Sequence, residues 1–264
     1  MVLETLKFYL PRFAEMPFAI FLAVTFLLCP VIVISVRHVL ALLVDLQMAH
    51  LELLVVLGNT VAKRDQDTAE HNFRVAIMAV QLAEAARLDA QSMLGQFTGA
   101  FLHDIGKIGV SDNILLKPGS LTDDERGEMQ KHVLHGVDIL TNSVWLQEAT
   151  RVIGFHHEKF DGSGYPYGLK SADIPVEARI FSIVDVFDAL VSARPYKDAM
   201  PFEQAIKVMQ QEDGKSFDPQ YLCTFLSIAQ RLYHQVIGLD LAQLKAMCAM
   251  IVEEYSGQWS EKMV

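Results

Sequence analysis

The chain has 264 residues, 52% of them hydrophobic, with 32 acidic against 22 basic side chains and a formal net charge of -10. That length supports one good-sized domain with additional segments. The acidic balance argues against a nucleic-acid polymer as partner, because such binding rests on neutralising phosphates with Lys and Arg. A small phosphate ligand stays possible, since bound cations invert the local sign of charge. Cys29, Cys223 and Cys248 are too far apart for a disulfide framework or a zinc finger and fit a reducing compartment.

The first element in chain order is an apolar run. No charged residue occurs from Met16 to Val36, about the length a helix needs to cross a bilayer. A secretory signal fits less well, because the run is too long and no small-residue cleavage site follows. The soluble alternative is a buried core helix. Pro30 lies inside the run, and membrane helices tolerate proline. Lys7 and Arg12 before it and Arg37 after it are too few to set an orientation. Residues 1–45 are therefore expected to form an N-terminal segment with a transmembrane helix over about 16–36. The remainder would face the cytoplasm at the inner membrane, or be soluble if the helix is not a span.

The rest of the chain reads as helices. Val39 to Arg64 is predicted as a linker helix. Ala69 to Leu88 carries apolar residues at 76, 79, 80 and 83, and Ala90 to Asp104 repeats the stripe with Met93, Leu94, Phe97, Ala100 and Phe101. After the turn-rich Lys117-Pro118-Gly119-Ser120, helices are predicted over Thr122 to Leu140, Leu146 to Glu158, Val176 to Ser192, Pro201 to Glu212 and Phe217 to Tyr233. Glycine and proline cluster only at 162–175, which reads as a loop. No alternating strand pattern appears. The fold class is all-α, with one catalytic domain over 46–235 and a peripheral C-terminal helix over 236–264 that carries no motif.

Polar residues interrupt the apolar faces at particular places. Asp104 ends the row Phe97, Ala100, and His157 ends the row Ala149, Ile153, so both point inward. Phe181, Asp185 and Asp188 share a stripe in an otherwise apolar helix. A carboxylate buried there without a partner costs several kcal/mol; imidazoles and cations around it offset that. His132 has Met129 one turn before it and Gly136 one turn after. Asp67 and His71 are four apart and can reach one metal from one helix face.

Taken singly, each has an ordinary explanation. Asp67 serves as a helix N-terminal cap or dipole partner, Asp185 as a salt-bridge partner of Arg179 or Arg194, Tyr165 as packing, and Lys107 as a solvated surface charge. Taken together these explanations fail. Five of the nine histidines, His71, His103, His132, His156 and His157, fall on inward faces beside a carboxylate or another histidine. Adjacent His-Asp and His-His pairs far apart in sequence are what a metal-dependent hydrolase needs. His38, His50, His135 and His234 have no such neighbours and read as structural.

Four segments carry a resemblance. His103-Asp104-Ile105-Gly106-Lys107, the run from His156-His157-Glu158 to Gly164-Tyr165-Pro166, Asp185 to Leu190, and Arg194-Pro195-Tyr196-Lys197 together resemble the HD-GYP family over roughly residues 50–230. That family is a branch of the HD phosphohydrolases and hydrolyses cyclic di-GMP. The resemblance implies an HD-type helical bundle around a multinuclear metal site. It implies metal ligands at His71, His103, Asp104, His132, His156, His157 and Asp185, with Asp104 bridging and Lys107 near the scissile phosphate. It implies dinucleotide contacts at Tyr165, Arg194 and Lys197. Family members with three metals tend to carry a glutamate four residues before the first histidine. Asp67 stands there instead, a shorter carboxylate that can still ligate, which leaves open a third metal and cleavage beyond the linear dinucleotide.

Mixed His and Asp donors suit Fe or Mn better than a tetrahedral zinc site. Two or three divalent ions are expected, with a water held between two of them as nucleophile and Lys107 adding charge at the phosphate. The expected activity is hydrolysis of cyclic di-GMP to linear pGpG, GMP or both. An HD-type mononucleotide phosphohydrolase and a non-catalytic cyclic-dinucleotide-binding module are the alternatives. Beyond the ligand and the membrane, a homodimer and contact with proteins that synthesise cyclic dinucleotides are further partners to consider.

Overall fold

The apolar run and the segment after it form one continuous helix, α1, Phe18–Ala62, where the sequence suggested two. The structure, a computed structural model, describes residues 18–64, 69–193 and 198–256. The chain divides into two units, Met1–Met48 and Ala49–Val264. In the first, no described side chain is buried, and Phe26, Leu27 and Ile34 are strongly exposed. By length and composition α1 is apolar enough to cross a membrane, with a mean hydropathy of 2.4.

The second unit is built around α2, Ala69–Ala85. Every residue from Val75 to Val80 is fully buried, which is what a helical stretch apolar on all sides requires. The helices α3, Ala90–Phe101, and later in the chain α8, Val176–Val191, α10, Pro219–Val236, and α11, Leu241–Ser256, pack against it. Phe73 and Phe101 meet edge to face at 4.8 Å across α2 and α3. The remaining helices are α4, Asp112–Leu115; α5, Asp123–Gln130; α6, His132–Leu140; α7, Thr150–Ile153; and α9, Phe202–Gln211. Among the described residues there is no strand, only an isolated bridge between Asp213 and Phe217. The all-α expectation holds.

Three predicted helices end early. The helix expected to reach Asp104 stops at Phe101 and is followed by a 3-10 turn, Ile105–Gly109. The helix expected over Thr122 to Leu140 is two, joined at Lys131. Its first half is polar, buries nothing and is held by a capping box between Thr122 and Glu125. Its second half buries His132, Val133, Gly136 and Leu140. It lies directly on the 3-10 turn: a Cβ at Gly106 would stand 1.8 Å from the His132 carbonyl oxygen. The helix expected over Leu146 to Glu158 is a 3-10 turn, Val144–Ala149, then α7. This segment presses on α3, where a Cβ at Gly95 or Gly99 would lie 2.7 Å from Glu148 or Val152.

The C-terminal helix is not peripheral. In α11, Leu244, Cys248 and Val252 are buried in the same core as α2. Cys248 is thus a core hydrophobe, and burial pushes its thiol pKa up.

Candidate metal centre

The early helix ends build the site. Adjacent residues on an α-helix point about 100° apart. Because α3 ends at Phe101 and α7 at Ile153, both His103-Asp104 and His156-His157 fall in turns, where neighbouring side chains can face one place. His156 and His157 have ring centroids 4.0 Å apart. His132 lies 5.5 Å from His156 and 5.1 Å from His157. His103 stands 5.4 Å from both His71 and His156.

These side chains form two donor groups. Asp104, His132, His156 and His157 each offer a ligand atom within 4.8 Å of the others, and so do His71, His103 and Asp185. His71 comes from α2, Asp185 from α8, His132 from the first residue of α6. The buried faces of α2 and α8 form part of the core, so His71 and Asp185 are carried by core helices, while His103 follows α3.

The imidazoles are aimed by their Nδ1–H groups. Nδ1–H of His103, His132 and His156 donates to the carbonyl oxygens of Ala100, Met129 and Ile153, each at 2.9 Å. A carbonyl only accepts, so in the neutral rings the free lone pair is on Nε2. The Nε2 atoms of His132 and His156 are buried and have no hydrogen-bond partner, and His132 Nε2 faces Asp104 Oδ1 at 3.4 Å. The same holds in the second group. His71 Nδ1–H donates to Asp188 Oδ2 at 2.7 Å, which turns its Nε2 toward Asp185 Oδ1 at 3.5 Å. Lone pairs aimed at carboxylates repel unless a cation stands between them, and oriented imidazoles of this kind are how proteins hold metals. The residues present therefore fit divalent ions.

Electrostatics agree. Burial pushes the pKa of His156 well below its usual range and that of His157 down to about 3, and the neighbouring imidazoles add to the effect. Burial likewise lowers His132. These three rings are neutral and ready to ligate. His103 is the exception. Burial opposes its charge, but Asp104 at 3.0 Å outweighs that and lifts it to about 9. Burial also opposes the charge on Asp104, yet Lys107, with Nζ at 2.7 Å, and His103 hold its pKa well below the usual carboxylate range. Lys107 is thus not a solvated surface charge. Without cations, a proton on His103 and the Lys107 ammonium do the neutralising.

The loop after His157 is tied to the site. Glu158 is buried and accepts from the backbone N–H of Tyr167 at 2.8 Å and of Leu169 at 3.0 Å. A Cβ at Gly164 would lie 2.3 Å from the Lys159 nitrogen, so only glycine fits where the loop crosses its own start. Tyr165 then stacks on His157 at 4.7 Å, and burial pushes its phenol pKa up. Its ring borders the first donor group with its hydroxyl in neutral form. Asp67, Arg194 and Lys197 lie outside the described residues. Among the described residues Asp185 pairs with no arginine, and Arg179 binds Asp218 at 2.7 Å instead. His50 is structural, stacked on Trp145 at 4.8 Å.

Sequence reasoning missed the partners that hold His71. Asp188 is fully buried and receives two hydrogen bonds from Arg74, at 2.6 and 2.8 Å, besides the one from His71. Burial opposes its charge, but Arg74 and His71 hold its pKa far below the usual carboxylate range. Two signals were available. Asp188 shares a stripe with Asp185, and Arg74 follows His71 by three residues, directly before the apolar run Val75 to Val80.

An all-helical bundle with histidine and aspartate donors converging from separate segments is the architecture of the HD phosphohydrolases. The HD domain family profile matches residues 55–221; the chain belongs to that family, in its HD-GYP branch. A cyclic di-GMP phosphodiesterase of Thermotoga maritima is 39% identical over 183 residues, covering 69% of this chain and 50% of the relative. A 3'3'-cGAMP-specific phosphodiesterase 2 of Vibrio cholerae is 43% identical over 182 residues, covering 68% of this chain and 35% of the relative. The chain thus spans half or less of the length of these curated relatives. Among solved structures, a cyclic GMP-AMP-specific phosphodiesterase of V. cholerae shares the fold, with a TM-score of 0.59 at 19% identity over 74% of this chain and 53% of that one.

Proposed function

We propose that the chain is a metal-dependent phosphodiesterase that hydrolyses cyclic di-GMP to linear pGpG, GMP or both. The observation that carries this reading is the pair of donor groups, in which the buried Nε2 atoms of His132 and His156 have no hydrogen-bond partner and that of His132 faces Asp104 at 3.4 Å. The two relatives named above act, by their names, on cyclic dinucleotides, which supports the substrate class.

Asp104, His132, His156 and His157 would hold one divalent ion, and His71, His103 and Asp185 another, with Asp104 close enough to His103 to serve both. Fe or Mn suits such mixed nitrogen and oxygen donors. When bound, the cations supply Lewis acidity to the phosphoryl oxygens and a water acidic enough to attack phosphorus at neutral pH. The chain's own residues do the rest. Lys107 places an ammonium at the edge of the donor groups, where charge on the phosphate or the leaving oxygen develops. Tyr165, neutral and stacked on His157, offers a ring face and a hydroxyl to the dinucleotide. Arg194 and Lys197 are proposed as further contacts, Arg194 through bidentate hydrogen bonds to phosphate or a guanine edge. The apolar part of α1 is proposed as a membrane anchor, with the catalytic unit in the cytoplasm.

The test is to load the protein with Mn or Fe, incubate it with cyclic di-GMP and with 3'3'-cGAMP in parallel, and separate the products by chromatography. Turnover of cyclic di-GMP supports the reading. Turnover of 3'3'-cGAMP alone shifts it to the specificity of the second relative, and hydrolysis of mononucleotides only removes it.

A further inference from the structure

Arg64 lies two residues beyond the end of α1 and in the same unit as the donor groups. Its backbone N–H bonds the Val61 carbonyl at 2.8 Å, so its backbone is fixed to the helix end. Its guanidinium donates to the carbonyl oxygens of Ile108 at 2.8 Å and Val110 at 3.1 Å. It reaches that of Lys107 at 3.5 Å and pairs with Asp112 at 2.6 Å. The Ile108 carbonyl lies at the C-terminal end of the Ile105–Gly109 turn, where acceptors run out of partners inside the turn, and that of Val110 lies just past it; the Lys107 carbonyl already accepts from the Val110 N–H at 3.1 Å. The opposite side of the same turn rests on α6, with no room for a side chain at Gly106. The turn is thus held by Arg64 at its end and packed on α6 at Gly106, and Lys107 is its third residue.

The ion pair alone does not explain the arrangement. Asp112 is 68% exposed, and exposed pairs contribute little. Bonds from a guanidinium to fixed backbone carbonyls are charge-assisted and directional.

We propose that Arg64 is a positioning residue for Lys107. By capping the Ile105–Gly109 turn it holds the Lys107 ammonium at Asp104, and so sets the rate of phosphodiester cleavage rather than the affinity for metal or substrate. This rests on the phosphodiesterase reading above.

The test uses the full chain and four variants: Arg64→Ala, Arg64→Lys, Lys107→Ala and the Arg64→Ala/Lys107→Ala double. Arg64→Ala is expected to lower kcat roughly tenfold, as for a catalytic group held loosely, with KM and metal per chain unchanged. Arg64→Lys, which keeps the charge but not the fork, recovers part of the loss. In the Lys107→Ala background, removing Arg64 should cost nothing further, because both changes act through one group. Independently of turnover, hydrogen exchange of the 105–110 amides should be about tenfold faster in Arg64→Ala than in the parent. Multiplicative losses in the double variant, or lost metal in Arg64→Ala, would overturn the proposal. If the parent hydrolyses no cyclic dinucleotide, the functional reading falls and exchange alone decides the clamp: acceleration upholds it and unchanged exchange removes it.

Discussion

The two donor groups differ in how one of their histidines is aimed. In the Asp104 group, His132 and His156 are oriented by carbonyls three residues back in their own segments. In the His71 group, His103 is oriented in the same local way by Ala100, but His71 is oriented by a carboxylate 117 residues away, and Arg74 holds that carboxylate in turn. The first device is local and uncharged, so it forms wherever its turn forms. The second is an ion network inside the core. It fixes the orientation of the His71 ring, and it exists only while α2 and α8 stay packed. The Asp104 group therefore reports on local structure, and His71 on the integrity of the bundle.

The largest effect should come from Asp104→Ala, which removes a donor from the first group and the counter-charge of His103 and Lys107 at once. Hydrolysis should fall to background and bound metal should drop, both measurable on one preparation by product chromatography and elemental analysis. Wild-type turnover with full metal would show that Asp104 does not link the groups.

Asp188→Asn separates the two devices. Losing the carboxylate behind His71 should weaken metal affinity or activity about 10- to 100-fold, the range for partners that orient a ligand. It also leaves Arg74 without its anion, at a cost of roughly 3–5 kcal/mol for a buried pair broken on one side. Adding Arg74→Met should restore much of the melting temperature but not the metal affinity. If affinity returns together with stability, Asp188 is a core residue only.

A subtler contrast is in protons. In the metal-free protein His103, raised to about 9, is charged at neutral pH, whereas His157, lowered to about 3, is not. A cation entering the His71 group must displace the His103 proton, and one entering the Asp104 group finds neutral rings. Loading at pH 7 should release about one proton per chain, and affinity should fall as pH drops further below 9. The raised pKa also stabilises the metal-free fold, fully below about 6.5 and decreasingly as pH rises through 9. Calorimetry in two buffers of different ionisation enthalpy counts the protons; zero release would contradict the assignment of His103.

The smallest expected difference concerns Asp67, which would extend the His71 group if it ligates beside His71. Asp67→Ala should then lose one metal per chain and shift products from GMP toward pGpG, while Asp67→Glu keeps both. Identical metal counts and product ratios in the parent and both variants would make Asp67 a helix-end carboxylate.

The sequence by itself determined the helical class, the apolar N-terminal helix and the donor residue types, because periodicity of apolar residues and adjacent His-Asp and His-His pairs are local patterns. Its helix ends were misplaced near Asp104, at Lys131 and near His156. Those ends are set by contacts between segments distant in sequence, with Gly106 against His132 and Gly99 against Val152, and propensity within one segment carries no record of them. The same reason hid Asp188 behind His71 and Arg64 behind Lys107. A charge buried on one helix is stabilised by a partner on another, and only the packed tertiary structure, where water is excluded, decides which partner that is.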